Sequence, residues 1–368
     1  MQIHFVDLKA QYHSLKEEMD SAIADVLENT AFIGGENVSA FQRNFEQFYG
    51  VRHCVPCANG TDALYIAMKM MGIGAGAEVI TTASSWISTS ETISQTGAQP
   101  VFVDIDQFYT IDPSQIEAKI TSRTKAIIPV HLYGQMCDMP SIMQIAKKHN
   151  LKVIEDCAQS HISELNGTRA GIWGHAGTFS FYPGKNLGAY GDAGCLITNN
   201  EQLATECKRY ANHGALIKHQ HDIEGINSRL DGLQAAILNV KLPHLVKWTD
   251  ERIRVGSRYL ELLADVKQIQ LPKMRPDTLH SFHVFGIKFD DRKALQNFLN
   301  AKGIPTQIHY PNAMPFMKAY ESLGAKPENF PNAYDLQEKE ISLPIYPEMS
   351  DAQILYVTDA IKEFFNGQ

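Results

Sequence analysis

Short apolar runs alternate with amphipathic stretches along the first two-thirds of the chain. The runs at 79–82 and 126–130 are rich in Val, Ile and Thr, which predicts buried strands. Apolar residues recur at helical spacing in the stretch 140–149, which predicts a helix. Strands that alternate with helices form a mostly parallel sheet covered on both faces. Further strands are predicted at 100–104, 151–156, 177–182 and 194–198, and a further helix at 88–97, with Ser88 and Glu91 as a capping box.

The pattern changes after about residue 230, where helices become longer and strands fewer. A helix is predicted over 231–241, and Pro243 should stop or kink it. The amphipathic stretch 244–266 predicts a second, longer helix. The remaining elements are a strand-like run at 282–289, a helix at 292–302, an extended stretch at 304–310 and a last helix at 351–365.

Composition and length indicate a globular protein of two domains. Of the 368 residues, 44% are hydrophobic, 9% aromatic and 20% charged, values that exclude a disordered or fibrous chain. The length exceeds the usual size of a single core. We therefore expect an α/β chain with a large domain, residues 1–245, and a smaller α+β domain, residues 246–368.

Charge and hydropathy argue against nucleic-acid and membrane partners. The formal net charge is −8, which disfavours a nucleic-acid-binding surface. No apolar run approaches the roughly 18 residues that cross a bilayer, and the N-terminal residues lack the features of a signal peptide. We expect a cytoplasmic protein whose six cysteines are reduced.

One candidate for chemistry is the start of an apolar helix at Gly60 and Thr61. Unpaired N–H groups at a helix start favour an anion, and a phosphate is the usual ligand. The alternative is simple capping of the helix by Thr61 or Asp62.

Two further candidates follow later in the chain. Asp156 ends an apolar strand, where a carboxylate could hold a metal, a ribose hydroxyl or a protonated ring nitrogen, or could cap a helix or pair with a cation. Lys185 follows a short strand and a Pro-Gly turn. A partly desolvated lysine can lose its proton and form a Schiff base, although most lysines are surface charges. Taken together, a phosphate site, a strand-end acid and a lysine match the needs of pyridoxal phosphate.

Five motifs in this order resemble the DegT/DnrJ/EryC1/StrS family of sugar aminotransferases, which have the type I fold of pyridoxal-phosphate enzymes. The resemblance covers essentially the whole chain. The motifs are Asn59-Gly60-Thr61-Asp62-Ala63-Leu64, Glu155-Asp156-Cys157-Ala158-Gln159, Phe179-Ser180-Phe181-Tyr182-Pro183-Gly184-Lys185-Asn186, Asn227-Ser228-Arg229-Leu230-Asp231 and His309-Tyr310-Pro311.

The resemblance implies roles for individual residues. Lys185 matches the lysine that binds the cofactor and moves protons, and Asp156 matches the partner of its ring nitrogen. Asn227 matches a residue that reaches the phosphate in the neighbouring subunit, which implies a homodimer with shared active sites. The other implied cofactor contacts are Gln159 at the ring hydroxyl, Gly60, Thr61 and Ser180 at the phosphate and Trp86 on the ring, and the implied substrate contacts are Tyr182, Arg229, His309 and Tyr310.

The resemblance also implies a substrate class. The motif Asn227-Ser228-Arg229-Leu230-Asp231 is similar to that of members that aminate C-3 of a nucleotide-linked keto sugar, whereas C-4 members read Asn-Tyr-Arg-Met. The segment after Pro311 departs from the C-3 pattern, so the sugar, and the choice between dTDP and UDP, stay open. L-glutamate is the implied amino donor, and surface polysaccharide such as O-antigen is the implied destination.

Other functions remain as alternatives. Relatives that replace the lysine with histidine remove a hydroxyl instead, so the presence of Lys185 favours transamination over a sugar dehydratase. A non-catalytic sensor of sugar nucleotides is the alternative from outside the enzymes. Cys54 and Cys57 have metal-ligand spacing, but no second pair of ligands follows, so we expect no metal site.

Overall fold

The structure, a computed structural model, describes residues 1–366 and contains a large central sheet with several short strand pairs. The predicted strands between residues 79 and 198 are all present, with ends that shift by a few residues. The strands are β1 (His53–Cys57), β2 (Glu78–Thr82), β3 (Gln99–Val103), β4 (Thr124–Ile128), β5 (Lys152–Asp156), β6 (Glu164–Leu165), β7 (Thr168–Arg169), β8 (Ala176–Ser180), β9 (Gly194–Thr198), β10 (Ala215–Ile217), β11 (Gln220–His221), β12 (Thr278–Leu279), β13 (Phe285–Lys288) and β14 (Glu340–Leu343).

Helices cover the sheet and build most of the C-terminal third. Pro243 lies in a 3₁₀ turn, Leu242–His244, which separates the two helices predicted on either side of it. The helices are α1 (Leu8–Ser14), α2 (Lys16–Glu28), α3 (Gly35–Tyr49), α4 (Gly60–Met70), α5 (Ser88–Gln95), α6 (Met139–Lys148), α7 (Glu201–Ala211), α8 (Gly232–Lys241), α9 (Leu245–Leu262), α10 (Arg292–Ala301), α11 (Pro331–Lys339) and α12 (Asp351–Asn366).

The central sheet has seven strands in the order β1-β9-β8-β5-β4-β2-β3. Five neighbouring strands of this sheet, β3, β2, β4, β5 and β8, are parallel, while β9 is antiparallel to both β8 and β1. The predicted mostly parallel sheet is therefore confirmed. Because parallel strands end at the same edge, β5 and β8 present Asp156 and Ser180 together.

Both faces of the sheet are buried, which explains the continuous apolar character of its strands. Successive side chains of β4 alternate between faces: Ile127 packs into the core under α3, α6 and α8, whereas Ala126 and Ile128 pack into the core under α4 and α7. Each face therefore has its own hydrophobic core.

A further core lies in the C-terminal third and surrounds the β13–β14 pair and helices α9, α10 and α12. It includes Val255, Phe285 and Ile361, together with Ile3 from the N-terminus. A smaller cluster joins the two parts of the chain, since Tyr133 and Val284 both belong to it. The domain boundary at residue 245 remains a prediction.

Several local predictions differ from the structure. The predicted strand 282–289 is limited to Phe285–Lys288, and the extended stretch 304–310 pairs with β14 only at Gln307. The capping box at α5 is wrong: Ser88 makes no side-chain cap, because its Oγ lies 2.7 Å from Thr61 Oγ1. The elements that were not predicted include strands β1 and β14 and helices α1, α2, α3, α7 and α11. Within residues 1–366, no helix combines the length and apolar character needed to span a bilayer.

Candidate active site

A cavity of about 630 Å³ opens at the carboxyl ends of β5 and β8. Its wall combines residues of the central sheet and α4 with the segment 307–310 from the C-terminal third. It brings together the predicted site residues Gly60, Thr61, Trp86, Asp156, Gln159, Ser180, Tyr182, Lys185, His309 and Tyr310.

The N-terminus of α4 forms one end of the cavity. Its cap is Asn59, whose Oδ1 accepts a hydrogen bond from Asp62 N at 2.7 Å, so capping by Thr61 or Asp62 is wrong. A Cβ on Gly60 would lie 2.6 Å from Ser180 Cβ. The absence of a side chain at Gly60 therefore lets the helix start approach β8 directly, with Thr61 beside it. First-turn N–H groups and nearby hydroxyls are donors that suit a phosphate.

Asp156 is a buried carboxylate at the end of β5. Its Oδ2 accepts a hydrogen bond from Thr89 Oγ1 at 2.8 Å, and its Oδ1 accepts one from Ala158 N at 3.1 Å. Burial raises the pKa of Asp156, and these two hydrogen bonds oppose that effect. A cationic ring nitrogen in the cavity would compensate the buried charge.

Lys185 lies on the turn after β8 and lines the same cavity. Burial lowers the pKa of Lys185 to about 8, and the nearby charge of Asp156 acts in the opposite direction. With this pKa, roughly a tenth of the amine is unprotonated at pH 7, far more than for an ordinary lysine, as a nucleophile or base requires. The next residue, Asn186, anchors the turn: its Nδ2 donates to Ser281 O at 3.0 Å, and its Oδ1 lies 3.1 Å from His283 Nδ1.

Aromatic and amide side chains also line the cavity. Trp86 is 57% exposed, and its ring centroid lies 5.6 Å from that of Tyr310. Both polar atoms of the Gln159 side-chain amide are hydrogen-bonded. Its Oε1 accepts from Tyr133 N and its Nε2 donates to Tyr310 Oη, each at 2.8 Å. The flat ring of Trp86 can pack on a planar cofactor. Tyr182 is 59% exposed at the rim.

His309 lies where the C-terminal third meets the cavity. Its Nδ1 lies 2.8 Å from Ser342 Oγ, and its ring stacks on that of Phe5 with centroids 5.9 Å apart. Burial and the nearby charge of Lys185 lower the pKa of His309 to about 4. The imidazole is therefore neutral near pH 7.

Two predicted site residues lie outside this cavity. Asn227 and Arg229 are exposed in the segment before α8, and Asn227 pairs with Asn212 in an isolated bridge. Within one chain, the structure does not bring either residue to Lys185.

Several lining residues were missed by the sequence analysis. Thr89 follows the predicted capping residue Ser88, and the two hydroxyls one position apart on α5 reach Asp156 and Thr61. A run of hydroxyl residues at a helix start that faces a predicted ligand site was the available signal. Phe5 and His283 had no comparable signal, because the N-terminus and the C-terminal third reach the cavity only through tertiary packing.

A buried group of potential metal ligands lies directly behind Asp156. Atoms of His131, Glu155 and Cys157 lie within 4.8 Å of one another. Cys137 N donates to His131 Nδ1 at 3.1 Å, so the ring proton is on Nε2, which lies 2.9 Å from Glu155 Oε2. The carboxylate of Glu155 also accepts hydrogen bonds from Gly171 N and Gly174 N. These bonds fix the strand ends around Asp156, and the expected lack of a metal site remains a prediction.

Comparison with known proteins identifies extensive similarity. The model of the DegT/DnrJ/EryC1/StrS aminotransferase family matches residues 13–362. A "Pleiotropic regulatory protein" of Geobacillus stearothermophilus is 43% identical over 99% of both chains. The UDP-N-acetyl-3-dehydro-alpha-D-glucosamine 3-aminotransferase of Acidithiobacillus ferrooxidans is 41% identical over 99% of this chain and 98% of its own. The crystal structure of DesV from Streptomyces venezuelae superposes with a TM-score of 0.96 at 38% identity, over 99% of this chain and 98% of that one.

Proposed function

Because the chain belongs to the DegT/DnrJ/EryC1/StrS aminotransferase family, whose cofactor is pyridoxal phosphate, we propose that it aminates a nucleotide-linked 3-keto sugar with L-glutamate as donor. The observation that carries the proposal is the single cavity that contains Lys185, the buried Asp156 and the N-terminus of α4. An amine, a buried acid and a phosphate site are the three groups that this cofactor requires.

The residues that line the cavity have different chemical roles in this proposal. When bound, pyridoxal phosphate supplies an electron sink for the carbon that loses its proton. Asp156 keeps the ring nitrogen protonated, because a buried carboxylate is stabilised by an adjacent cation. Lys185, with its lowered pKa, removes and returns the proton at the donor and sugar carbons.

The remaining cofactor contacts follow from their positions. Gly60, Thr61 and Ser180 hold the phosphate at the start of α4. Trp86 covers one face of the ring, and Gln159, fixed by Tyr133 N, faces its hydroxyl. These assignments rest on the shared cavity and on the resemblance of the motifs.

A second copy of the chain completes the active site in this proposal. Asn227 and Arg229 are exposed, and Phe32 and Ile33 are exposed apolar residues in the segment that contacts the start of α8. Apolar side chains grouped on a surface favour association. Asn227 then reaches the phosphate in the partner's cavity, and Arg229 approaches the nucleotide sugar.

Mixing two variants that each lack one residue of the proposed shared site tests whether the site is shared. In a mixed dimer of Lys185→Ala and Asn227→Ala chains, one site has both native residues, so activity should reappear on mixing after unfolding and refolding. Each variant refolded alone is the control. Failure of the mixture to exceed either control would exclude a site shared through Asn227.

The sugar position is proposed as C-3. Residues 227–231 resemble the C-3 motif, and the relative from Acidithiobacillus ferrooxidans is named as a 3-aminotransferase. Tyr182, His309 and Tyr310 line the same cavity as Lys185, and in this proposal they contact the sugar. A cytoplasmic reaction that supplies amino sugars for a surface polysaccharide such as O-antigen completes the proposal.

Product analysis tests the function. Holoenzyme and L-glutamate are incubated with 3-keto and 4-keto hexoses linked to UDP or dTDP, and the position of nitrogen is determined by mass spectrometry and NMR. The proposal predicts an amine at C-3. A deoxygenated product without nitrogen would indicate a sugar dehydratase, and an amine at C-4 would indicate a C-4 aminotransferase. Binding of cofactor and sugar nucleotide without any turnover would indicate a sensor.

A further inference from the structure

A buried hydrogen-bonded chain lies beside the sugar end of the cavity. Glu340 and Ser342 are alternate residues of β14 and therefore share one face of the strand. Gln307 pairs with Ser342 in antiparallel register, and the same register two residues on places His309 opposite Glu340. Strand pairing thus aligns a carboxyl, a hydroxyl and an imidazole, which together we call the Glu340–Ser342–His309 relay.

The contacts of the relay are close and specific. The main-chain N–H of His309 donates to Glu340 Oε2 at 2.7 Å. Ser342 Oγ contacts Glu340 Oε1 and lies 2.8 Å from His309 Nδ1. Glu340 and Ser342 have no exposed surface, and a Cβ on Gly286 would lie 2.9 Å from Glu340 Oε1. The close packing leaves the carboxyl no room to turn to other partners.

The single hydroxyl hydrogen of Ser342 couples the two ends of the relay. If Glu340 is ionised, the Ser342 hydroxyl donates its hydrogen bond to the carboxylate. Ser342 Oγ can then only accept from His309, so the ring proton of His309 must be on Nδ1. If Glu340 is protonated, it donates to Ser342, which then donates to Nδ1, so the ring proton moves to Nε2. The His309 ring lines the cavity, and Nε2 has no hydrogen-bond partner among residues 1–366.

We propose that Glu340, acting through Ser342, determines which ring nitrogen of His309 carries the proton, and so whether His309 donates a hydrogen bond to the keto sugar or accepts one from it. The proposal rests on the proposed function only for the identity of the ligand. A donor at Nε2 suits an oxygen that can only accept, such as a carbonyl or a ring oxygen, whereas an acceptor there suits a hydroxyl. Glu340 and Ser342 are positioning residues, and His309 is the group that touches the substrate.

Electrostatics favours the donor form near neutral pH. Burial raises the pKa of Glu340 to about 8, although hydrogen bonds from Ser342 and the His309 N–H and the charge of Arg292 oppose this effect. Because the pKa of His309 is lowered to about 4, the ring is neutral and carries one proton. The other ionisable groups around Glu340 are Lys288 opposite it on β13, Asp335 paired with Lys288, and Tyr109, Tyr133 and Tyr310.

Glu340→Gln tests the relay independently of the substrate. The amide oxygen must accept from the His309 N–H, so the amide nitrogen faces Ser342 and always donates. Ser342 then donates to Nδ1, and the proton of His309 is fixed on Nε2 at every pH at which the ring is neutral. ¹⁵N NMR of histidine-labelled holoenzyme distinguishes protonated from unprotonated ring nitrogens, and His309→Asn assigns the signal.

At pH 9 the relay predicts a proton on Nδ1 in the wild type and in Ser342→Thr, which keeps the hydroxyl, but on Nε2 in Glu340→Gln. The same tautomer in the wild type and Glu340→Gln at pH 9 would overturn the proposal. A structural role for Glu340 alone would not move the proton between nitrogens.

The kinetic consequence is a difference in pH dependence. Between pH 7 and pH 9, kcat/KM for the keto sugar should fall about tenfold more in the wild type than in Glu340→Gln, as expected for one unmade hydrogen bond. The half-reaction with L-glutamate in each protein is the reference. Equal falls in the two proteins would contradict the action of the relay on the sugar, whereas no turnover of any keto sugar would overturn the proposed function and leave the NMR result to decide the relay.

Discussion

The two ends of the cavity are built in different ways. The cofactor end is formed by the ends of neighbouring parallel strands and a helix start, with Asp156, Ser180 and Gly60 close together. The end at which we propose that the sugar binds includes His309 and Tyr310, whose segment pairs with β14 at Gln307 and reaches the cavity only through tertiary packing. A rigid sheet edge suits a constant cofactor, whereas a hydrogen-bonded segment outside the main sheet can vary with the substrate.

The largest expected effect is at Lys185. Lys185→Ala removes both the amine and the base, so kcat should fall by about 10⁴-fold or more. Lys125→Ala, an exposed lysine on β4, is the matched control and should keep full activity. Turnover assays measure activity, and circular dichroism measures the fold. An active Lys185→Ala would contradict the proposed role of Lys185 as the amine and base of the site.

Asp156→Asn should have the next largest effect. The change keeps the shape but removes the charge that keeps the ring nitrogen protonated, so kcat should fall about 10²–10³-fold. Thr89→Val, which removes one hydrogen bond to Asp156, should cost far less. Steady-state kinetics with holoenzyme compares them, and equal losses would show that the charge itself is unimportant.

Gly60→Ala should weaken cofactor binding with a smaller effect on the chemical step. The added Cβ would lie 2.6 Å from Ser180 Cβ, so the start of α4 must move away from β8, and the loss of one hydrogen bond to the phosphate, about 1–3 kcal/mol, corresponds to a roughly five- to 150-fold loss of affinity. In the control Gly74→Ala the nearest atom, Thr96 O, is 3.4 Å away. Titration of the apo-proteins with pyridoxal phosphate measures both, and unchanged affinity in Gly60→Ala would place the phosphate elsewhere.

The smallest expected effect is a shift in the pH dependence of Lys185. The rate at which the apo-protein reacts with pyridoxal phosphate requires unprotonated amine, so it should rise with pH and level off above about 8. The charge of Asp156 raises the pKa of Lys185, so Asp156→Asn should move this rise to lower pH. Stopped-flow absorbance provides the profile. A rise that continues to pH 10 would show that Lys185 has an ordinary pKa.

The sequence predicted most of the residues that line the cavity, but not the residues behind His309. Asp156, Ser180 and Lys185 belong to contiguous motifs at strand ends, and the parallel sheet places such ends together. Glu340 could not be predicted in this way, because its role depends on the register between β14 and the segment at Gln307, far apart along the chain. Asn227 was predicted by resemblance, but a single chain leaves it exposed.

The capping predictions failed for a related reason. Ser88 and Thr61 each lie in the first turn of a helix, a position that suggested local capping, yet their hydroxyls are hydrogen-bonded to each other. Local spacing does not reveal a tertiary partner that competes for the same hydroxyl.

The visible absorption spectrum of the purified holoenzyme, recorded before and after addition of L-glutamate, tests the central claim most directly. The account predicts a band of bound pyridoxal phosphate that fades as pyridoxamine phosphate forms. The control Lys125→Ala should show the same spectral change as the wild type, whereas Lys185→Ala should not turn over. A band that ignores glutamate would contradict the proposed donor. No band after addition of pyridoxal phosphate would contradict the assignment of Lys185 and Asp156 as its binding groups.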